Sequence, residues 1–277
     1  MGILDFNKLK IYLFFIKIYY SKFIFKMKYR SFHIILFFGF TITACTSSQN
    51  LLIIGHRGAK GHLAENTLPS ISKAIELGVD GIEIDIFKCA SGELVVFHDK
   101  TLEKLTNSSG YIEELALDSI RRIDVLNGYS IPTLEEVLDL INGRVFLNIE
   151  LKGRATALKT DELLQIYFEV GAWFPEKILI SSFNWDELKI FRQINKEVPI
   201  AILTEDDPLD AIPIGLELKA TAINPDFKTL NSLNVDKIHE AGFKVFTWTV
   251  NKIDNIAQMK SIEVDGIITD FPERVNP

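Results

Sequence analysis

From residue 51 onward, short apolar runs rich in β-branched residues alternate with helical patterns. Eight runs have the length and composition of buried strands: 51–55, 81–87, 145–151, 177–183, 199–204, 220–224, 244–250 and 266–270. Helical patterns lie between them, several of which end in glycine as a helix C-cap does: 67–77, 133–141, 160–171, 185–195, 233–241 and 252–260. Eight strands alternating with helices over about 225 residues predict the α/β class, as a single-domain (β/α)8 TIM barrel.

The remaining segments favour this barrel over the alternative, a doubly wound sheet. No Gly-rich dinucleotide fingerprint or P-loop follows any strand pattern in the sequence. The run 93–98 follows the second strand across Ser91 and Gly92, and it predicts a hairpin partner outside the main count. Residues 99–132 lack a clear strand pattern and predict a loop excursion with a helix near 113–122.

The N-terminal segment is unlike the rest of the chain. From Met27 a basic stretch, an apolar run at 33–40 and small residues follow in the order of a secretory signal peptide. The ending Ile-Thr-Ala-Cys45 resembles a bacterial lipobox, in which the cysteine becomes the lipidated first residue of the mature protein. We therefore predict a signal segment at 1–44 with Met27 as a candidate translation start, lipidated Cys45 and a tether at 45–50, and a barrel domain at 51–277.

This anchor predicts a location in the bacterial cell envelope. The lipid would hold the protein on a membrane, and in a cell with two membranes we expect the outer membrane or the periplasmic side. A transmembrane helix is not expected, because Lys17, Lys22 and Lys26 interrupt the apolar run at 11–25. The alternative is a plain signal peptide cleaved nearby, with Cys45 as an incidental thiol.

The distribution of charge along the sequence limits the kinds of molecule that the protein could bind. Residues 1–44 carry seven Lys or Arg and one Asp, a net charge of +6, so the formal charge of −7 leaves −13 on the remainder. An acidic body argues against nucleic-acid binding. If this body handles a phosphorylated small molecule, it needs a bound cation or a locally basic pocket. The second cysteine, Cys89, is interpreted as a small buried hydrophobic residue.

Acidic side chains occur at the strand ends, where barrels of this kind carry their chemistry. Glu83 and Asp85 stand two apart on the second strand, so they share a face that points into the barrel mouth. Close buried carboxylates are costly unless a cation or a proton compensates them. We therefore predict one divalent cation, Mg²⁺ or Ca²⁺, held by Glu83, Asp85 and Glu150, because oxygen ligands suit a hard ion.

Four further polar residues complete the candidate site. Arg57 and Lys152 supply fixed positive charge for a phosphate. His56 and His98 supply two imidazoles that suit a general acid and a general base. A lone histidine at a strand end is more often structural, so the prediction rests on the combination. A cation, a phosphate clamp and two histidines together predict phosphodiester cleavage.

At these residues the sequence resembles the glycerophosphodiester phosphodiesterase family. The matching motifs run in order along the chain: HRGAKGHLAENTL at 56–68, GIEIDIF at 81–87, VVFHD at 95–99, IPTLEEVL at 131–138, NIELK at 148–152, SSF at 181–183, TWTVN at 247–251 and VDGIITDFP at 264–272. The resemblance implies a barrel enzyme that uses a divalent cation to hydrolyse glycerophosphodiesters to glycerol 3-phosphate and an alcohol. It also implies the roles of seven residues: His56 and His98 as the acid/base pair, Glu83, Asp85 and Glu150 as metal ligands, and Arg57 and Lys152 as phosphate contacts. Ala64 departs from the family, which often has proline there.

Several residues have two interpretations at this stage. Phe183 and Trp248, at strand ends, fit either the barrel core or the glycerol side of a substrate pocket. The segment 65–67 either caps the first helix or brings Glu65 near the site. Asp270 is interpreted as structural.

Two other functions fit part of the pattern. One is a related barrel phospholipase that acts on intact phospholipid, and the other is a surface lipoprotein that binds a ligand without catalysis. The carboxylate trio favours the metal-dependent diesterase. The sequence leaves open the alcohol head group, the choice between Mg²⁺ and Ca²⁺, which histidine is the acid, the oligomeric state, and whether water attacks directly or a cyclic phosphate forms first.

Overall fold

The structure, a computed structural model, describes residues 51–277. The predicted signal segment, the candidate start at Met27 and the lipidated Cys45 lie outside the described residues. The predicted domain boundaries therefore stay predictions. Among residues 51–277, no helix combines the length and apolar character needed to span a bilayer.

Eight parallel strands close into a barrel, as the sequence predicts. The strands in chain order are β1 Leu52–His56, β2 Gly81–Lys88, β3 Leu94–Val96, β4 Asp124–Val125, β5 Tyr129–Ser130, β6 Phe146–Leu151, β7 Ile178–Ser182, β8 Ile200–Thr204, β9 Ala222–Pro225, β10 Lys244–Thr247 and β11 Gly266–Thr269. Their order around the barrel is β1, β11, β10, β9, β8, β7, β6 and β2, and β2 pairs with β1 to close the ring. The predicted hairpin partner is β3, which runs antiparallel to β2.

Helices connect the barrel strands. They are α1 Leu68–Glu76, α2 Leu117–Ile120, α3 Leu134–Ile141, α4 Thr156–Glu169, α5 Trp185–Ile194, α6 Ile212–Leu218, α7 Ser232–Glu240 and α8 Ile253–Ser261. The Thr67 side chain accepts a hydrogen bond from the Ser70 N–H and caps α1. Glycines at 78, 171 and 242 follow their helices with φ of 77°, 70° and 91°, as the predicted C-caps require.

Two helical expectations differ from the structure. The helix predicted near 113–122 is split into a 3₁₀ turn at Ile112–Glu114 and the short α2. The helix α6 was not predicted, because its sequence contains Pro213 and Gly215, which are typical of turns. Gly215 is needed for packing, since a Cβ there would lie 2.9 Å from the ring of Phe243.

The core has three parts that together position the strand ends. The largest cluster lies between the barrel strands and the helices. A second cluster fills the excursion after β2 and is built around Phe87, Phe97 and Leu102. The third lies inside the barrel and contains Ile54, Leu179, Ala201, Ala222, Phe246 and Ile268. Because this third cluster fills the lower interior, the barrel is open to ligands at the carboxyl ends of its strands.

Candidate active site

The predicted site residues meet around one pocket at the carboxyl ends of the strands. The pocket has an empty volume of about 470 Å³. Eight of the nine residues proposed for the barrel site line it: His56, Arg57, Glu83, His98, Glu150, Lys152, Phe183 and Trp248. The ninth, Asp85, is buried beside Glu83 and Glu150. The residue pairs two apart on β2 and β6 face the same side of the barrel wall, as the alternation of strand side chains requires.

The three carboxylates form a compact buried cluster. One oxygen from each of Glu83, Asp85 and Glu150 lies within 4.8 Å of the other two. Burial, together with repulsion from Asp85 and Glu150, raises the pKa of Glu83 well above its ordinary value. Burial and repulsion from Asp85 raise the pKa of Glu150 to about 7, although Lys152 opposes the change. Mutual repulsion therefore makes this cluster electrostatically unfavourable without a compensating positive charge.

The cluster fits a hard divalent cation. Asp85 is 1% exposed, and its Oδ1 has no hydrogen-bond partner among the described residues. A bound cation or a water would satisfy this buried carboxylate oxygen. Three carboxylates offer oxygen atoms alone, which suits Mg²⁺ or Ca²⁺ better than zinc. The donor chemistry and the orphaned oxygen thus agree with the predicted metal site.

Arg57 connects the first strand to this cluster. Its φ of 53° places it in the left-handed region, which directs its backbone N–H to Glu83 Oε2 at 3.0 Å. The guanidinium contacts Glu65 Oε1 at 2.5 Å and Asp85 Oδ2 at 3.2 Å. Burial acts to raise the pKa of Asp85, but the positive charges of Arg57 and Lys152, with His98 and a hydrogen bond from Asn66, together lower that pKa overall. Glu65 is therefore at the site, while Thr67 caps α1, so both interpretations of segment 65–67 hold in part.

Lys152 brings a second positive charge to the pocket. Its Nζ lies 3.0 Å from Glu150 Oε1 and 3.9 Å from Asp85 Oδ1. The same Nζ lies 3.2 Å from His98 Nε2. An ammonium group only donates hydrogen bonds, so this contact favours His98 with an unprotonated Nε2.

Each histidine is held by a carboxylate through its Nδ1. His56 Nδ1 lies 2.6 Å from Asp270 Oδ1, and His98 Nδ1 lies 2.5 Å from Asp99 Oδ1. This pairing leaves the His56 Nε2 facing the pocket, 4.0 Å from a Glu83 oxygen, and the His98 Nε2 in contact with Lys152. Burial lowers the pKa of both histidines, although the hydrogen bonds that their Nδ1–H groups donate to Asp270 and Asp99 oppose it. Burial therefore favours the neutral form of both imidazoles.

The two carboxylates behind the histidines are residues for which sequence reasoning gave no functional role. Asp270 was interpreted as structural, but it lies directly against the candidate catalytic His56. Asn251 holds it there, because Asn251 Nδ2 donates to Asp270 Oδ2 at 2.7 Å. Two features of the sequence point to these carboxylates: Asp99 directly follows His98, and Asp270 lies at the end of the eighth predicted barrel strand.

Two aromatic side chains form the opposite wall of the pocket. The rings of Phe183 and Trp248 pack edge to face, with centroids 5.4 Å apart. The Trp248 indole N–H donates to the Asn224 carbonyl at 2.8 Å, which fixes the ring. Phe183 is 40% exposed, so it lies at the entrance and not in the core. Of the two interpretations made from the sequence, the geometry favours pocket lining.

Comparisons with known proteins agree with this arrangement. The model of the glycerophosphoryl diester phosphodiesterase family matches residues 56–274. A glycerophosphodiester phosphodiesterase of Caldanaerobacter subterraneus subsp. tengcongensis is 33% identical over 232 residues, which cover 80% of this chain and 95% of that protein.

Two solved structures are similar in fold and sequence. A phosphodiesterase of Oleispira antarctica, in complex with the product sn-glycerol-3-phosphate, is 25% identical with a TM-score of 0.75, and the match covers 81% of this chain and 94% of that one. A glycerophosphodiester phosphodiesterase of Parabacteroides distasonis is 26% identical with a TM-score of 0.70, and the match covers 82% of this chain and 95% of that one.

Proposed function

Because the chain belongs to the glycerophosphoryl diester phosphodiesterase family and is a phosphoric diester hydrolase, we propose that it hydrolyses glycerophosphodiesters to glycerol 3-phosphate and an alcohol. The observation that carries the proposal is the convergence of three carboxylates, two cationic side chains and two imidazoles on one pocket. A binding module has no need for all of these groups together. Their chemistry is that of a phosphate diester held and cleaved by acid and base.

The carboxylate cluster is the proposed metal centre. Glu83, Asp85 and Glu150 would hold one divalent cation, Mg²⁺ or Ca²⁺. When bound, the cation would supply charge stabilisation at a phosphoryl oxygen and would favour an oxygen nucleophile. Arg57 and Lys152 add positive charge beside the same pocket, so the diester would be bound through its phosphate.

The two imidazoles are the proposed acid and base. Lys152 holds His98 Nε2 as an acceptor, which is the form that takes a proton from a nucleophile. His56 is left to protonate the leaving alcohol, and an anionic substrate beside it would favour its protonated form. Asp270 and Asp99 orient these rings through Nδ1, and so they are positioning residues.

The leaving group separates the two roles. A nitrophenolate leaving group needs little protonation, so His56→Ala should recover much of its rate on a nitrophenyl diester. His98→Ala should not recover, because the loss of a base is independent of the leaving group. The opposite pattern would exchange the roles of the two histidines.

Product analysis tests the activity itself. Purified protein is incubated with glycerophosphocholine, and glycerol 3-phosphate is measured with an enzymatic assay. We expect release of glycerol 3-phosphate and choline, and no comparable hydrolysis of phosphatidylcholine vesicles. Hydrolysis of the intact phospholipid alone would favour the phospholipase, and hydrolysis of neither substrate would favour a binding protein.

The proposed location is the bacterial cell envelope, with a lipid on Cys45 as the anchor. The support is the order of basic, apolar and small residues ahead of this cysteine. Cys45→Ser should move the protein from the membrane to the aqueous phase in a detergent partition. Wild-type protein with a free Cys45 thiol and an uncleaved upstream peptide would contradict the anchor.

A further inference from the structure

The floor of the pocket contains polar atoms without partners. Asn148 and Ser181 line the pocket and are 1% and 0% exposed. Neither Asn148 Oδ1 nor Ser181 Oγ has a hydrogen-bond partner among residues 51–277. Buried polar groups are nearly always satisfied, because an unmade hydrogen bond is costly. These two oxygens therefore indicate a partner that is not part of the described chain.

The strands fix how deep this pair lies. Asn148 precedes Glu150 by two residues on β6, which places it on the same face about 7 Å deeper in the barrel. Ser181 is paired in register with Glu150, and Leu179, two residues earlier on β7, belongs to the apolar cluster that fills the lower interior. By register Asn148 is paired with Leu179 and Ser181 with Glu150, so both oxygens lie between the carboxylate cluster and that apolar cluster.

The hydrogen-bonding capacity of Asn148 Oδ1 and Ser181 Oγ fits an uncharged hydroxyl group. An amide oxygen only accepts a hydrogen bond, whereas a serine hydroxyl can donate or accept. A hydroxyl group can donate to Asn148 Oδ1 and accept from Ser181 Oγ, which satisfies both atoms. The phosphate of a diester is an anion without an O–H group, and a quaternary ammonium has no N–H, so neither can donate to Asn148 Oδ1.

We propose, on the basis of the function proposed above, that Asn148 and Ser181 bind the terminal hydroxyl of the glycerol moiety. Of the two free hydroxyls of that moiety, the terminal one lies further from phosphorus, so it reaches deepest when the phosphate is held at the mouth. An acyl chain on this oxygen would meet the apolar cluster that closes the floor. The floor therefore selects deacylated phosphodiesters.

A substrate that lacks one hydroxyl tests this site. The comparison is between glycerophosphocholine and 2-hydroxypropyl phosphocholine, which keeps the hydroxyl next to the phosphoester and lacks only the terminal one. The wild type should prefer glycerophosphocholine by about tenfold to a hundredfold in kcat/KM, the range expected when buried polar atoms are left unpaired. In Ser181→Ala and in Asn148→Leu, this preference should fall to near one.

The neighbouring serine provides a matched control. Ser182 points to the other face of β7, where its Oγ donates to the Leu151 carbonyl at 2.6 Å and accepts from the Asn184 N–H at 2.9 Å. Ser182→Ala should therefore lower Tm and keep the substrate preference. Ser181→Ala should leave Tm unchanged or higher, because it removes a hydroxyl without a partner.

The outcomes separate this inference from the proposed function. If the wild type hydrolyses neither diester, the proposed function fails. If it hydrolyses glycerophosphocholine without a preference, or if Ser181→Ala keeps the preference, the hydroxyl site is overturned and the activity stands. If Ser181→Ala lowers kcat/KM equally on both substrates and also lowers Tm, then Ser181 binds a structural water. This result would also overturn the hydroxyl site.

Discussion

Glu150→Gln should stabilise the chelated protein at neutral pH, although it removes a proposed metal ligand. Burial and repulsion from Asp85 raise the pKa of Glu150 from 4.5 to about 7. The attraction of Lys152 at 3.0 Å is already included in this value and does not reverse it. Glutamine resembles the protonated carboxyl in size and charge, so it should avoid the cost of ionising this side chain inside the barrel.

The size of the effect follows from the change in pKa. The difference between 4.5 and about 7, at about 1.4 kcal/mol for each pH unit, corresponds to about 3 kcal/mol. Below pH 4.5 the carboxyl is protonated in both the folded and the unfolded state, so the cost is absent. Between pH 4.5 and 7 the unfolded chain releases the proton that the folded chain keeps, and the wild type loses stability as pH rises. Above pH 7 the cost is fully present.

Urea unfolding in the presence of chelator measures this difference. The free energy of unfolding of Glu150→Gln should exceed that of the wild type by up to about 3 kcal/mol at pH 8, and by much less at pH 5. Glu162→Gln, at an exposed carboxylate 3.3 Å from Lys159, is the control and should change stability by less than about 1 kcal/mol. An excess of Mg²⁺ or Ca²⁺ should favour the wild type, because a bound ion stabilises the folded state. A chelated Glu150→Gln protein less stable than the wild type at pH 8 would refute the reasoning.

Three further predictions concern the groups around the cluster. His56→Ala and His98→Ala should each lower kcat on glycerophosphocholine by about 10² to 10⁴. The double variant should lower kcat by less than the product of the two single reductions. A near-wild-type kcat in both single variants would contradict acid/base catalysis. Asp270→Asn should lower the pKa of His56, since its carboxylate supports the protonated ring; an unchanged pKa in an NMR titration would rule out this contact. Phe183→Ala and Trp248→Ala should raise KM more than they lower kcat, which initial rates measure; a pure kcat effect would argue against a binding wall.

The fold was predictable because its pattern is local and repeated. Each barrel strand is an apolar run buried on both faces, and each connection carries its own helical period or cap, so the eight strands could be located within a few residues. The helix α6 was missed for a physical reason as well. It is apolar on most sides and contains Pro213 and Gly215, so it lacks the polar face and the uninterrupted period from which a helix is recognised.

The positions of the site side chains that lie on strands could be predicted from the sequence. Glu83 and Asp85 share a face because strand side chains alternate, Lys152 follows Glu150 just beyond the end of β6, and the closure of the barrel brings β2 and β6 together. Loop contacts were not predictable in this way. The contact between His56 and Asp270 joins residues 214 positions apart, at the end of β1 and just after β11, so it depends on the pairing of these two strands.

The contact of Glu65 with the site had a different origin. It depends on the left-handed conformation of Arg57, which turns the loop after β1 back over the barrel. No clear sequence pattern predicts a left-handed conformation at a residue other than glycine, because tertiary contacts impose that conformation. The sequence could therefore offer Glu65 as one of two alternatives only.

Metal reconstitution tests the central claim, that three carboxylates hold the one cation that phosphodiester hydrolysis requires. Chelated protein is titrated with Mg²⁺ or Ca²⁺ while metal binding and glycerol 3-phosphate release from glycerophosphocholine are followed in parallel. We predict that chelation abolishes activity, that activity returns in proportion to binding and saturates with one ion per chain, and that Glu83→Gln shows weakened binding and little recovery. Full activity in the chelated wild type, or normal recovery in Glu83→Gln, would contradict the account.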